Sequence, residues 1–127
     1  MPRRIKDQKI VIVEDEIAIN ESLRDYLSDQ NSVQAFLSAE EALANEASFA
    51  NVDAFIIDYL LPGQNGVELF KHLQGKFSHA KYIRITGEMN YDLAESTRKL
   101  GLDALILKPF DFMILEDNIS AIISTAA

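Results

Sequence analysis

The sequence predicts an α/β fold of the doubly wound type: five βα units in three layers, with a five-stranded parallel sheet at the centre. Three observations carry this. Five short apolar runs alternate with five segments of helical periodicity. The runs are continuously hydrophobic, as strands buried on both faces are. The composition does not change along the 127 residues, and no linker, repeat or low-complexity stretch divides them. Alternation of this kind implies parallel strands, right-handed crossovers and helices on both faces of one sheet. The whole chain therefore reads as a single domain.

Each element has a local reason. Residues 1–8 are polar and basic and read as a loose arm. Lys9 to Val13 (KIVIV) is β-branched and forms the first strand. Ile19, Leu23, Tyr26 and Leu27 then recur at helical spacing between Ile17 and Ser28. Ser32 to Leu37 is a second strand. Ser38 and Glu41 make a capping box that opens a helix to about Ala47. Asp53 to Asp58 is the third strand. Asn65 with Glu68 is a second capping pair, for a helix to about Gly75 that buries Val67, Leu69, Phe70 and Leu73. Lys81 to Ile85 is the fourth strand, ending at Thr86 and Gly87. Tyr91 to Leu100 is a helix closed by Gly101 at its C′ position. Ala104 to Leu107 is the fifth strand, and Asp111 caps a last helix to about Ser124.

Composition excludes several functions. There is no cysteine, so neither a disulfide framework nor a thiolate metal site is available. The net charge of -8 argues against a nucleic-acid surface, which needs a basic footprint. No apolar run approaches the roughly 20 residues of a membrane span, and no signal region follows Arg3 and Arg4. A cytoplasmic location is the expectation.

Ligands of doubly wound sheets bind beyond the carboxyl ends of the strands. At those ends stand Glu14 and Asp15 after strand one, Asp58 after strand three, Thr86 after strand four and Lys108 after strand five. Strand two contributes nothing comparable. Clustered carboxylates repel one another, and a hard divalent cation such as Mg2+ removes the conflict. Lys108 offers a fixed positive charge to an anion and Thr86 a neutral donor. A nucleophile, a metal and anion contacts are the parts that phosphoryl transfer needs.

Four motifs give a resemblance over essentially the whole length: the acidic run VIVEDE, the segment DYLLPGQNG with Pro and Gly after its Asp, the ITG after strand four, and the LKPF after strand five. Together, in this order, they resemble the receiver domain of two-component response regulators. The resemblance implies the flavodoxin-like strand order 2-1-3-4-5 and a set of roles. Asp58 would accept a phosphoryl group from the phosphohistidine of a sensor histidine kinase or a histidine phosphotransfer protein. Glu14, Asp15, Asp58 and the backbone carbonyl of Leu60 would hold Mg2+. Thr86 would bond a phosphoryl oxygen, and Lys108 would pair with Asp58 and then with its phosphate. The Lys108–Pro109 bond would be cis. Such a domain catalyses its own modification and is not a turnover enzyme.

Two positions, Leu105 and Leu60, depart from the family pattern. Leu105 stands where an aromatic switch residue is usual. Leu60 and Glu88, each two residues beyond a key site residue, are tuning positions; an apolar Leu60 cannot orient the attacking water, so slow self-hydrolysis is expected. Glu16 reads as a helix-dipole acid. His72 and His79 read as solvent-facing, and Phe36, Phe55, Phe70, Met89 and Met113 as packing residues. The last helix, with Phe112, Met113, Ile114, Leu115, Ile119, Ile122 and Ile123, has more than one apolar stripe. An output domain or a second copy of the chain would cover the excess. With no output domain after this helix, the chain reads as a stand-alone receiver or one excised from a longer protein. The alternative function is a receiver-like binding module that works without phosphorylation. A haloacid-dehalogenase-type phosphatase would need an Asp where Leu60 stands, and a dinucleotide enzyme a G-x-G-x-x-G after strand one.

Overall fold

The computed structural model describes residues 5–58, 66–87 and 93–125. Five parallel strands, β1 (Lys9–Val13), β2 (Ser32–Phe36), β3 (Ala54–Asp58), β4 (Lys81–Thr86) and β5 (Ala104–Leu107), form one sheet in the order β2-β1-β3-β4-β5. Five helices connect and follow them: α1 (Ile17–Ser28), α2 (Ala39–Ala44), α3 (Gly66–Lys76), α4 (Leu93–Leu100) and α5 (Phe112–Thr125). This is the doubly wound order expected from the motifs.

The sheet separates two cores. Strand side chains alternate between faces, so neighbouring residues of one strand enter different cores. Ile10, Ile12, Ala54, Ile56, Ile83, Ile85 and Ile106 pack with Leu23 and Leu27 of α1 and Leu115 and Ile119 of α5. Val11, Val13, Phe55, Ile57 and Tyr82 pack with Ala39 and Ala42 of α2 and Leu69, Phe70 and Leu73 of α3. Phe55 stacks on Tyr82 at 5.0 Å between centroids, and Phe70 meets Tyr82 edge-on at 5.2 Å. Phe36, Phe55 and Phe70 are thus core residues.

The caps explain where helices start and stop. Ser38 Oγ accepts from Glu41 N at 3.1 Å, as the capping box predicts. The helix that it opens ends at Ala44 rather than near Ala47. Asn45 Nδ2 donates to the Glu41 carbonyl at 2.8 Å, a side-chain competitor for the helical ladder, and a 3₁₀ turn follows at Glu46–Ser48. Gly101 has φ +90, the left-handed conformation that closes α4. Asp111 Oδ1 accepts from Ile114 N at 2.8 Å at the start of α5. The Asn65 cap, the first residues expected of α4 and Met89 lie outside the described residues.

Residues 5–8 are not a loose arm. Ile5 is buried, and its N–H donates to Glu116 Oε2 of α5 at 3.1 Å. Asp7 N donates to the Gln30 carbonyl, and Gln8 N to Asn31 Oδ1. Polar composition suggested freedom, but Ile5 brings enough apolar surface to dock against α1 and α5. Met113 is also corrected: it is 55% exposed, with Ile114 beside it at 52%. The apolar excess of the last helix therefore does lie on its outer face. No helix among the described residues is long and apolar enough to cross a membrane.

Candidate functional site

The register of the sheet brings the charged residues together. Val13 pairs with Ile57, so the residues that follow, Glu14 and Asp58, lie side by side at the carboxyl edge. Asp58 pairs with Ile85 and Thr86 with Leu107. Lys108 follows Leu107 and reaches across the end of β4 to the two acids. Parity helps: continuing the alternation of β1, β3 and β5 puts Glu14, Asp58 and Lys108 on the α1/α5 side, and Thr86 on the other.

Lys108 Nζ is the hub. It lies 2.9 Å from Asp58 Oδ2, 2.6 Å from Glu14 Oε1 and 2.7 Å from Glu16 Oε1. Glu14 is fully buried and Asp58 nearly so, whereas Glu16 is exposed. Burial would lower the basicity of Lys108, but the negative charges of Glu14, Glu16 and Asp58 against it outweigh that and hold the ammonium above its usual range. Glu14 shifts the other way for an acid. Burial, then the neighbouring Asp58, pushes its carboxyl up to about 7, against the pull of Lys108.

Local backbone fixes the acidic loop. Glu14 N donates to the Phe36 carbonyl at 3.0 Å. Asn20 of α1, buried, donates through Nδ2 to the carbonyls of Glu14 and Phe36 at 3.0 and 2.9 Å. Glu16 N returns a bond to Glu14 Oε2 at 3.1 Å. Helix α1 starts at Ile17, where the sequence spacing places it, and Glu16 keeps an extended backbone (φ −77, ψ 108) just outside it.

The structure brings Glu14, Asp58 and Lys108 into side-chain contact. Thr86 ends β4 fully buried, and its carbonyl accepts from Lys108 N at 2.9 Å. Lys108–Pro109 is cis. Leu105 is half-buried on β5, in register with Arg84. Leu60 and Glu88 lie outside the described residues.

Two residues differ from expectation. Glu16 is not only a helix-terminus acid, because it shares Lys108 with the buried pair. Among the described residues, Glu14, Glu16 and Asp58 are the acids whose oxygens gather within 4.8 Å of one another; Asp15, half-buried beside them, is not in that group. A lysine with three acids at strand ends was a signal for Glu16 that residue spacing alone did not resolve. His72 is exposed as expected, yet its Nε2 lies 2.9 Å from Glu46 Oε2, and this contact is the main reason that the Glu46 carboxyl sits below its usual range.

The acidic set fits a hard cation. Glu14 Oε1 is buried and, though 2.6 Å from Lys108 Nζ, is not in hydrogen-bonding geometry with any described donor. Carboxylate oxygens so placed are donors of the type that Mg2+ takes.

Comparison with known proteins identifies the family. The family profile of the response regulator receiver domain matches residues 10–120. The transcriptional regulatory protein CiaR of Streptococcus pneumoniae is 30% identical over 115 residues, which is 91% of this chain and 51% of that protein. The two-component response regulator PhoP of Pseudomonas aeruginosa is 30% identical over 116 residues, again 91% and 51%. The chain thus spans about half the length of the curated relatives it matches. Among solved structures, a CheY-like receiver domain protein of Methanospirillum hungatei superposes with TM-score 0.85 at 25% identity, covering 95% of this chain and 97% of that one. The chain belongs to the response regulator receiver domain family of two-component systems.

Proposed function

We propose that Asp58 is a phosphoacceptor and that this domain takes a phosphoryl group from the phosphohistidine of a histidine kinase or a histidine phosphotransfer protein. The observation that carries the reading is Lys108 Nζ at 2.9 Å from Asp58 Oδ2, with buried Glu14 on the same ammonium. A carboxylate oxygen of Asp58 attacks phosphorus. The P–O bond forms, the P–N bond breaks, and its electron pair stays on the imidazole nitrogen. The product is an aspartyl phosphate.

The residues have separable tasks. Lys108 holds the Asp58 carboxylate before transfer and the phosphoryl oxygens after it. Thr86 bonds a phosphoryl oxygen. Glu14, Asp15, Asp58 and the Leu60 carbonyl are the ligands that the family pattern assigns to Mg2+, and the position of Glu16 adds a further acid to that group. When bound, Mg2+ supplies positive charge that offsets the negative charge gathered in transfer. The domain modifies itself and switches an output domain or a second copy rather than turning over a substrate.

Intact mass after incubation with acetyl phosphate and Mg2+ tests the reading. The wild type should gain one phosphoryl mass and Asp58→Asn none. A wild type without an adduct would leave a receiver-like binding module that works without phosphorylation.

A further inference from the structure

We propose that Arg84 and Thr97 form the link by which the anion end of β4 moves α4, a link that rests on the phosphoacceptor reading above. Arg84 lies inside the sheet at 5% exposure, between the apolar Ile83 and Ile85. A guanidinium is rarely buried unless its donors are used. Its Nη1 donates to Thr97 Oγ1 at 3.1 Å, and Thr97 of α4 is itself buried at 4% exposure. A side chain of the central sheet is therefore bonded to α4.

Three placements make this bond a transmitter rather than a brace. Arg84 is two residues before Thr86, so both project from the same face of β4. Thr86 is the residue that would close on a phosphoryl oxygen, and a displacement there is shared by the next residue on that face. The cross-strand partner of Arg84 is Leu105. An aromatic ring at that position would compete with the guanidinium for the space under α4; a leucine, smaller and half-buried, leaves room for it. The face that lacks a ring on β5 thus has a directional, charge-assisted bond from β4.

Thr97→Val removes the hydroxyl and keeps the shape. Beryllofluoride with Mg2+ serves as the phosphoryl mimic, and hydrogen exchange of peptides covering residues 93–100 reads α4. In the wild type, activation should change exchange in α4. In Thr97→Val that change should shrink about fivefold, the scale of one hydrogen bond, while the yield of Asp58 phosphorylation by intact mass stays the same. Arg84→Met should act alike; if it fails to fold, Arg84→Lys, which keeps the charge but not the fork, replaces it. An unchanged α4 response in Thr97→Val, with the adduct formed, overturns the link and leaves the phosphoacceptor reading intact. A wild type that forms no adduct overturns both, since β4 then has nothing to transmit.

Discussion

Lys108 Nζ and Asp58 Oδ2 stand 2.9 Å apart across 50 residues of chain, one at the end of β5 and the other at the end of β3. The contact closes over β4, and Glu14 shares it from the far side. Removing the ammonium would leave two buried carboxylates without their cation. Lys108→Ala should therefore lower unfolding stability in Mg2+-free buffer by about 3 kcal/mol, as for a buried pair that loses one partner. Mg2+ should restore part of the loss. Urea unfolding with and without Mg2+ measures both; equal midpoints for wild type and variant would contradict the hub role.

Glu14 gives a pH dependence with a definite sign. Its folded carboxyl is raised from 4.5 to about 7, so the folded chain holds that proton more tightly than the unfolded one. Its contribution to stability is full below about 4.5 and is lost as pH rises through about 7. Without Mg2+, the thermal midpoint should fall across that window relative to Glu14→Gln, which should be flatter. The stabilisation by Mg2+ should grow over the same window, because binding displaces the proton.

Glu16 should separate metal binding from stability. Its side chain is 58% exposed, so the loss of its contact with Lys108 in Glu16→Gln should cost less than about 1 kcal/mol. Mg2+ affinity, measured by calorimetric titration, should nevertheless fall several-fold, and more steeply still in Glu14→Gln. A Glu16→Gln protein that binds Mg2+ like the wild type would exclude Glu16 from the cation site.

Glu116 joins three elements. Its carboxylate accepts from Ile5 N and from the Tyr26 hydroxyl, next to a Tyr26–Phe112 stack at 4.5 Å. Glu116→Ala should lower stability by about 2 kcal/mol and release residues 5–8, seen as faster hydrogen exchange in that segment alone. Unchanged protection there would show that the burial of Ile5 suffices to hold it.

Much of this was legible in the residues because the information was local. Continuous apolar runs named the strands, Ser38, Asp111 and Gly101 marked helix ends, and the charged residues after strands one, three and five named the edge. The side of the sheet that Glu14, Asp58 and Lys108 share came only with the two cores of the structure. What escaped depends on partners distant in the chain. Ile5 docks against α1 and α5 and donates to Glu116, 111 residues away. Glu16, in extended backbone just outside α1, reaches Lys108, 92 residues away. Arg84 did carry a signal, a charge inside KYIRI, but its meaning needed Thr97 on the neighbouring helix.

The alternation of β4 has a consequence for how variants of this domain behave. Ile83 and Ile85 answer to α1 and α5, whereas Tyr82, Arg84 and Thr86 answer to the opposite layer. The sheet is a partition with one shared rim, where the acids and the lysine sit. Adjacent codons of β4 thus write to different compartments: a change at 83 or 85 disturbs the packing against α1 and α5, and a change at 84 disturbs the bond to α4.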